Sequence, residues 1–172
     1  MTVLETDRLR LRELEPADLD VMVRLWTDPD VAAFMGDFGP RTPEDVALWL
    51  PDAIEASTTH PRHRSWAIVL RSTESVVGWI SVGASSRPIG DIDFAFVVAR
   101  AHRGHGYAAE ALGLAVRFSF ETLGARSFWG ECDAANGASA AAMRRAGLKF
   151  IGTVDGSHQF FIENVNTEGA AR

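Results

Sequence analysis

Arg103-Gly104-His105-Gly106-Tyr107-Ala108 is the stretch of this chain whose residue types and spacing best suit chemistry. Glycines one residue apart let a loop bring its backbone N–H groups close to an anion. A helix starting directly after them adds unpaired N–H groups and the positive end of its dipole. Arg103 adds a fixed charge, and His102 or His105 a titratable one. Together they read as a cradle for a phosphate or pyrophosphate. Two other readings fit the same residues. One is a plain strand-to-helix turn with capping glycines. The other is a dinucleotide site, because residues 104–109 match G-x-G-x-x-A, and Glu131 or Asp133 stands near the end of the next strand. Asp91, Asp93 and Glu131 are the carboxylates that could move a proton. A partly apolar cleft would raise such a group into a useful pKa range, whereas a solvated strand end would leave it inert.

These residues need a scaffold, and the pattern supplies one. RLRLREL (8–14) alternates charged and apolar residues, as a half-buried strand does. Pro16 opens a helix in which Leu19, Met22, Val23 and Trp26 share a face, and Pro29 closes it. Residues 30–41 read as a loop or short distorted turn, with Phe34, Met35 and Phe38 set among Gly36, Gly39 and Pro40. Thr42-Pro43-Glu44-Asp45 is a helix start, with a hydroxyl at the N-cap, proline at the first helical position and acids in the first turn. That helix runs to about residue 57. Strands follow at 65–71, 75–84 and 91–98, and a buried helix at 107–123 ends at Gly124. A strand at 126–133, a short helix at 138–146 and a hairpin over 148–164 about Asp155-Gly156 complete the chain. The result is an α/β or α+β layer fold. Strands joined by short turns favour antiparallel pairing, which counts against a doubly wound dinucleotide sheet.

Composition bounds the function. The chain has 172 residues, 47 % of them apolar, and a net charge of −6. One globular domain is expected over residues 1–164, with a flexible tail over 165–172. The acidic balance argues against broad nucleic-acid binding. A lone cysteine, Cys132, closes no internal disulfide and reads as a buried small residue. The apolar runs are too short for a membrane span, and MTVLETDRLR lacks the apolar core of a secretion signal. A cytoplasmic protein without membrane contact is therefore expected. His60 and His63 flank Pro61 with no cysteine or carboxylate set at zinc spacing, so no metal is expected. Arg144-Arg145 reads as a charge pair complementing a helix C-terminus.

Three separated blocks resemble the GNAT superfamily of acetyl-CoA-dependent N-acetyltransferases. Arg103-x-x-Gly106-x-Ala108 is similar to its Q/R-x-x-G-x-G/A loop between a strand and a helix. CDAANGASAAAMRRAGLKFIG (132–152) resembles its late block, with Asn136, Ser139, Gly147 and Leu148 in place. LETDRLRLRELEPADLD, WTDPDVAAFM and RTPEDVALWL resemble the front of the branch containing the ribosomal-protein N-terminal acetyltransferases, the RimJ/RimL-like branch.

The resemblance implies a mixed, mostly antiparallel sheet of six or seven strands with about four helices. The fourth expected strand (91–98) would splay from the fifth (126–133). It implies acetyl transfer from acetyl-CoA to a primary amine, on a peptide N-terminus or a small molecule, by direct attack in a ternary complex. Residues 103–108 would hold the pyrophosphate, the edge of Phe96, Val97 and Val98 the pantetheine arm, and Asn136 its other side. The Phe96 N–H would meet the thioester oxygen. Many members carry a tyrosine acid early in the late helix, but the one tyrosine here, Tyr107, lies in the loop. The resemblance assigns the acid role to Ser139 and makes Asp93, Glu131 or water the base. Phe34, Met35, Phe38 and Asp93 would meet the acceptor. The chain would work as a monomer or homodimer. A non-catalytic acyl-CoA-binding module and an NAD-type dinucleotide-binding protein are the alternatives.

Overall fold

In the computed structural model, which describes residues 4–35 and 38–165, the alternating front of the chain forms β1 (Leu4–Glu5) and β2 (Leu9–Glu13). Leu9 and Leu11 point inward and are almost fully buried. A 3₁₀ turn at Pro16–Asp18 leads into α1 (Leu19–Trp26), α2 (Pro29–Met35) and α3 (Pro43–Thr59). Then come β3 (Arg64–Leu70), β4 (Ser75–Ala84), β5 (Ile92–Val98) and α4 (Tyr107–Glu121). β6 (Ser127–Asp133), α5 (Gly137–Arg145), β7 (Lys149–Val154) and β8 (Ser157–Glu163) finish the described chain.

The strands make one sheet in the order β1-β2-β3-β4-β5-β6-β8-β7. Every neighbouring pair is antiparallel except β5 with β6. This is the mixed α/β layer fold expected, corrected in its counts. The sheet has eight strands among the described residues, and five helices accompany it. β1 adds the extra strand, and is too short for its alternation to register. α2 replaces most of the loop expected over 30–41. Pro29, taken as the end of the first helix, also sits at the first position of the second. Asp28 caps that start by accepting the Asp30 N–H at 2.9 Å. The tail expected over 165–172 lies, apart from Val165, outside the described residues, as do Gly36 and Asp37.

A core lies on each face of the sheet. On one side, α4 and α5 bury Leu112, Ala115 and Met143 against Ile68, Ile80, Ile92, Phe128 and Phe160. On the other, α1 and α3 bury Met22, Trp26, Val46 and Leu50 against Val69, Trp79 and Val97. Trp26, Trp49 and Trp79 meet there with ring centroids 5.1–5.6 Å apart. Because strand side chains alternate between faces, Ile92, Phe94, Phe96 and Val98 turn toward α4 and α5, while Asp93, Ala95 and Val97 turn toward α1–α3.

The start of α3 follows the sequence signal closely. Thr42 Oγ1 accepts the Asp45 N–H at 3.1 Å and the Asp45 carboxylate accepts the Thr42 N–H at 3.0 Å. Removing that reciprocal cap by Thr42→Ala should lower unfolding stability by about 1 kcal/mol, read as a lower urea midpoint with an unchanged m-value.

Candidate active site

β5 bonds to β4 along one edge only. Ser85 donates to the Asp91 carbonyl at 3.0 Å and Ala99 to the Val77 carbonyl at 2.9 Å, so the odd-numbered residues of this segment exchange bonds with β4. In an antiparallel ladder the even-numbered residues then turn their N–H and C=O groups the other way. Toward β6 they meet a partner only at the start, because the register between the two strands is confined to Ile92–Phe128 and Asp93–Trp129. The strands part beyond that point, as expected. Phe96 and Val98 are left with backbone groups facing the gap. The Val98 carbonyl accepts from Arg103 Nε at 3.0 Å. Phe94 packs into the widening wedge, stacked on Phe128 at 4.7 Å, and its ring occupies the space a Cβ on Gly130 would need.

The gap opens into a cavity of about 1130 Å³. Phe96, Val97 and Val98 form one wall. Asn136 and Ser139 come from the opposite side, and Gly104, Gly106, Tyr107 and Ala108 from one end. Gly104 and Gly106 hold φ values of 79° and 82°, a left-handed conformation that side-chain-bearing residues rarely adopt. Gly106 precedes α4 directly, and the first helical bond runs from the Glu110 N–H to its carbonyl. The N–H groups of Tyr107, Ala108 and Ala109 therefore have no partner inside the helix. Loop and helix end together present amides to the cavity, which is the geometry an anion needs. Arg8 braces them from outside, donating to the His105 carbonyl at 3.1 Å, pairing with Glu110 and lying over the Tyr107 ring.

Fifteen of the sixteen site residues expected from the sequence line this one cavity: Phe34, Met35, Phe38, Asp93, Phe96, Val97, Val98, Arg103, Gly104, Gly106, Tyr107, Ala108, Glu131, Asn136 and Ser139. The His105 side chain is the exception. It stacks on Tyr107 at 5.5 Å and its Nδ1 faces the Arg103 carbonyl at 2.9 Å. The charge of Arg103 is spoken for as well, since its guanidinium pairs with Asp30 at 2.8 Å and Asp28 at 3.5 Å. That pairing ties the glycine loop to α2, which carries Phe34. Asn136 caps α5, its Oδ1 accepting the Ser139 N–H at 3.0 Å, so Ser139 is held at the first turn facing the cavity.

The three carboxylates separate by environment. Asp91 accepts the Arg126 N–H at 2.8 Å and pairs with the Arg126 guanidinium, which holds its pKa below the ordinary carboxylate value. Glu131 is bound to Arg87 at 3.1 Å. Asp93 is half-buried, and burial pushes its pKa up against the opposing pull of Ser85 and Arg87. Residues with no local sequence signal for this site also line the cavity, among them His60, His63, Trp129 and Arg87, which lies over the Trp129 ring. Cys132 lines it too, half-buried, its thiol pKa raised by burial and then by Asp133. Among the described residues no group of three or more His, Cys, Asp or Glu side chains could hold a metal. No helix there is long and apolar enough to cross a membrane.

Comparison with known proteins gives consistent findings. The profile of the acetyltransferase (GNAT) domain matches residues 8–149. An N-acetyltransferase of Bacillus licheniformis called p20, itself uncharacterised, is 28 % identical over 123 residues, covering 72 % of this chain and 68 % of the relative. A GNAT-family acetyltransferase of Bacillus anthracis superposes with a TM-score of 0.80 at 18 % identity, over 94 % of this chain and 98 % of the other. A ribosomal-protein-S5-alanine acetyltransferase of Vibrio fischeri superposes at 0.77 with 15 % identity, over 96 % and 98 %. At these identities the superpositions speak for the fold alone.

The carboxylates at the start of α2 give a pH dependence of known sign. The hydrogen bond from Arg100 lowers the folded pKa of Asp28 below its unfolded value. Its stabilising contribution is therefore complete above an unfolded pKa of about 3.9 and is lost as pH falls through the folded value. In urea titrations from pH 6 downward, Asp28→Asn should shrink the loss of stability below about pH 4 relative to the parent protein.

Proposed function

The chain belongs to the GNAT acetyltransferase family, a family of acyltransferase enzymes, and on that premise we propose that it moves the acetyl group of acetyl-CoA directly to a primary amine. The acceptor is a protein N-terminus or a small-molecule amine. The observation that carries the reading is the open edge of β5, with the Phe96 N–H facing a cavity that runs from the glycine loop past Ser139 to Asp93. Acetyl-CoA supplies an acyl group already activated as a thioester. The amides of residues 104–108 suit its pyrophosphate, and the Phe96–Val98 edge suits the amides of its pantetheine arm by strand addition. Asn136 stands across the gap as a second polar contact. A cavity larger than the usual single-ligand range leaves room for an acceptor beside the cofactor.

The residues then divide the work. The Phe96 N–H stabilises the negative charge that grows on the thioester oxygen as the amine attacks. Ser139 donates a hydrogen bond to the leaving sulfur and passes it a proton. Asp93, facing the α1–α3 side, draws the acceptor's ammonium and lies on the path of the proton that must leave. Glu131 is the weaker candidate for that task, because Arg87 already neutralises it. Phe34, Met35 and Phe38 form the apolar side of the acceptor entrance. The three sequence blocks resemble the ribosomal-protein N-terminal acetyltransferase-like branch, which supports a peptide N-terminus as one acceptor.

Thermal unfolding with acetyl-CoA at about 100 times its Kd should show the folded state stabilised by roughly 2.7 kcal/mol, with no shift from NAD(H). Stabilisation by NAD(H) alone would overturn the reading. Phe96→Pro removes an N–H that takes no part in the β4 ladder. It should cut turnover about 10²- to 10³-fold while acetyl-CoA still raises the melting midpoint. Ser139→Ala should lower kcat more than it weakens acetyl-CoA binding, read by thiol release. Binding in the parent protein without thiol release on any amine would favour the non-catalytic acyl-CoA module.

A further inference from the structure

His63 stands at the acceptor end of the cavity, on the turn between α3 and β3, where it lines the wall together with His60 and Asp93. The antiparallel registers of β3 with β4 and of β4 with β5 bring it there. The close approach depends on Gly83. A Cβ at that position would lie 3.4 Å from His63 Nδ1 and 3.8 Å from an oxygen of Asp93. Imidazole and carboxylate thus flank one bare stretch of backbone. The other ring nitrogen, Nε2, lies 3.4 Å from the hydroxyl of Ser65, which is buried and whose N–H donates to Ser57 Oγ at 2.8 Å. Ser65 meets the Nε2 edge of the ring, and Nδ1 is the nitrogen on the side of Gly83, itself a cavity-lining residue.

We propose that His63 is the proton acceptor of the acetyl-transfer site, with Asp93 as its anionic partner. The proposal rests on the acetyl-transfer reading. One proton of the acceptor's ammonium passes to the lone pair of His63 Nδ1, leaving a neutral amine. The amine nitrogen bonds to the thioester carbon, and the C–S bond breaks with its electron pair going to sulfur. The second proton leaves the nitrogen through the Ser139 hydroxyl to the thiolate, giving amide and free thiol. The imidazolium then returns its proton to solvent.

The surroundings suit this role better than they suit Asp93 acting alone. A proton on His63 creates a cation facing the Asp93 anion, whereas a proton on Asp93 removes the charge that draws the ammonium in. Burial first, then His60 and Arg64, lower the His63 pKa, so the ring is neutral and able to accept at pH 7. The titratable and charged groups around it are His60 with its ring centroid 6.4 Å away, Arg64 on β3, Asp93 on β5, and Arg62, which turns to Asp91 at 3.8 Å.

Histidine NMR titration of the full chain tests the pairing without any acceptor. His63 should titrate below pH 6.5, and Asp93→Asn should move that titration lower still, because the anion favouring the imidazolium is gone. The kinetic arm follows acetyl transfer to an N-terminal serine peptide and to spermine across pH. His63→Gln should reduce kcat/KM at pH 7 on the order of 10²-fold and abolish the acid limb, while Asp93→Asn keeps that limb and shifts it to lower pH. Added imidazole should restore part of the activity of His63→Ala. An imidazolium at neutral pH, a titration blind to Asp93→Asn, or an acid limb unchanged in His63→Gln overturns the proposal. Absence of acetyl-CoA stabilisation in the parent protein strikes the acetyl-transfer reading itself and takes the proposal with it.

Discussion

Two parallel strands that start side by side and then diverge must leave backbone N–H and C=O groups without a sheet partner, and an interior polar group without a partner is costly. β5 and β6 do this after Asp93 and Trp129. Much of the remaining architecture answers that constraint. Arg103 reaches back to satisfy the Val98 carbonyl, Phe94 fills the wedge against Phe128 and Gly130, and α4 and α5 flank the opening. What stays open is a strip of strand edge at Phe96, where an incoming chain of amides can complete the ladder. The cavity is thus a missing stretch of sheet as much as it is a hole.

The sites on the two faces of that strip are chemically different. Toward α4 and α5 the even-numbered residues of β5 are aromatic and aliphatic, and the polar functions come from backbone amides and helix starts. Toward α1–α3 the odd-numbered residues bring Asp93 to His63 across Gly83. Amides favour an anionic ligand on one side, and titratable groups handle protons on the other. Arg100 and Arg103 join the segment after β5 to Asp28, which caps α2, and to Asp30 within it. The wall nearest the anion cradle and the helix carrying Phe34 are therefore held together by charge.

Much of this was legible from the chain because it is written locally. Thr42 and Asp45 cap a helix within four residues, Gly104 and Gly106 set a loop, and the strands at 65–98 follow one another through short turns. Asp28-Pro29 was ambiguous for a physical reason, since a proline ends one helix by the same property that lets it begin the next. The role of Arg103 could not be read from its own surroundings in sequence, because its carboxylate partners lie more than seventy residues away. His63 gave no local signal at all. Its neighbours at Gly83 and Asp93 are set by strand register and not by spacing along the chain.

The alternation of β5 also bears on how such a chain can change in length. Its odd residues bond to β4 and turn Asp93 to one layer, while its even residues supply the open edge. One residue inserted within the strand would exchange these duties along everything beyond it. Phe96 would be zipped shut, and an apolar side chain would stand where the carboxylate belongs. Insertions and deletions along β5 are thus tolerable in pairs, or as a bulge. The turn between Ser85 and Asp91, whose inner residues take no part in the ladder, can vary one residue at a time. Divergent copies of this sequence should carry their odd-numbered gaps in that turn, with the strand as a fixed ruler between them.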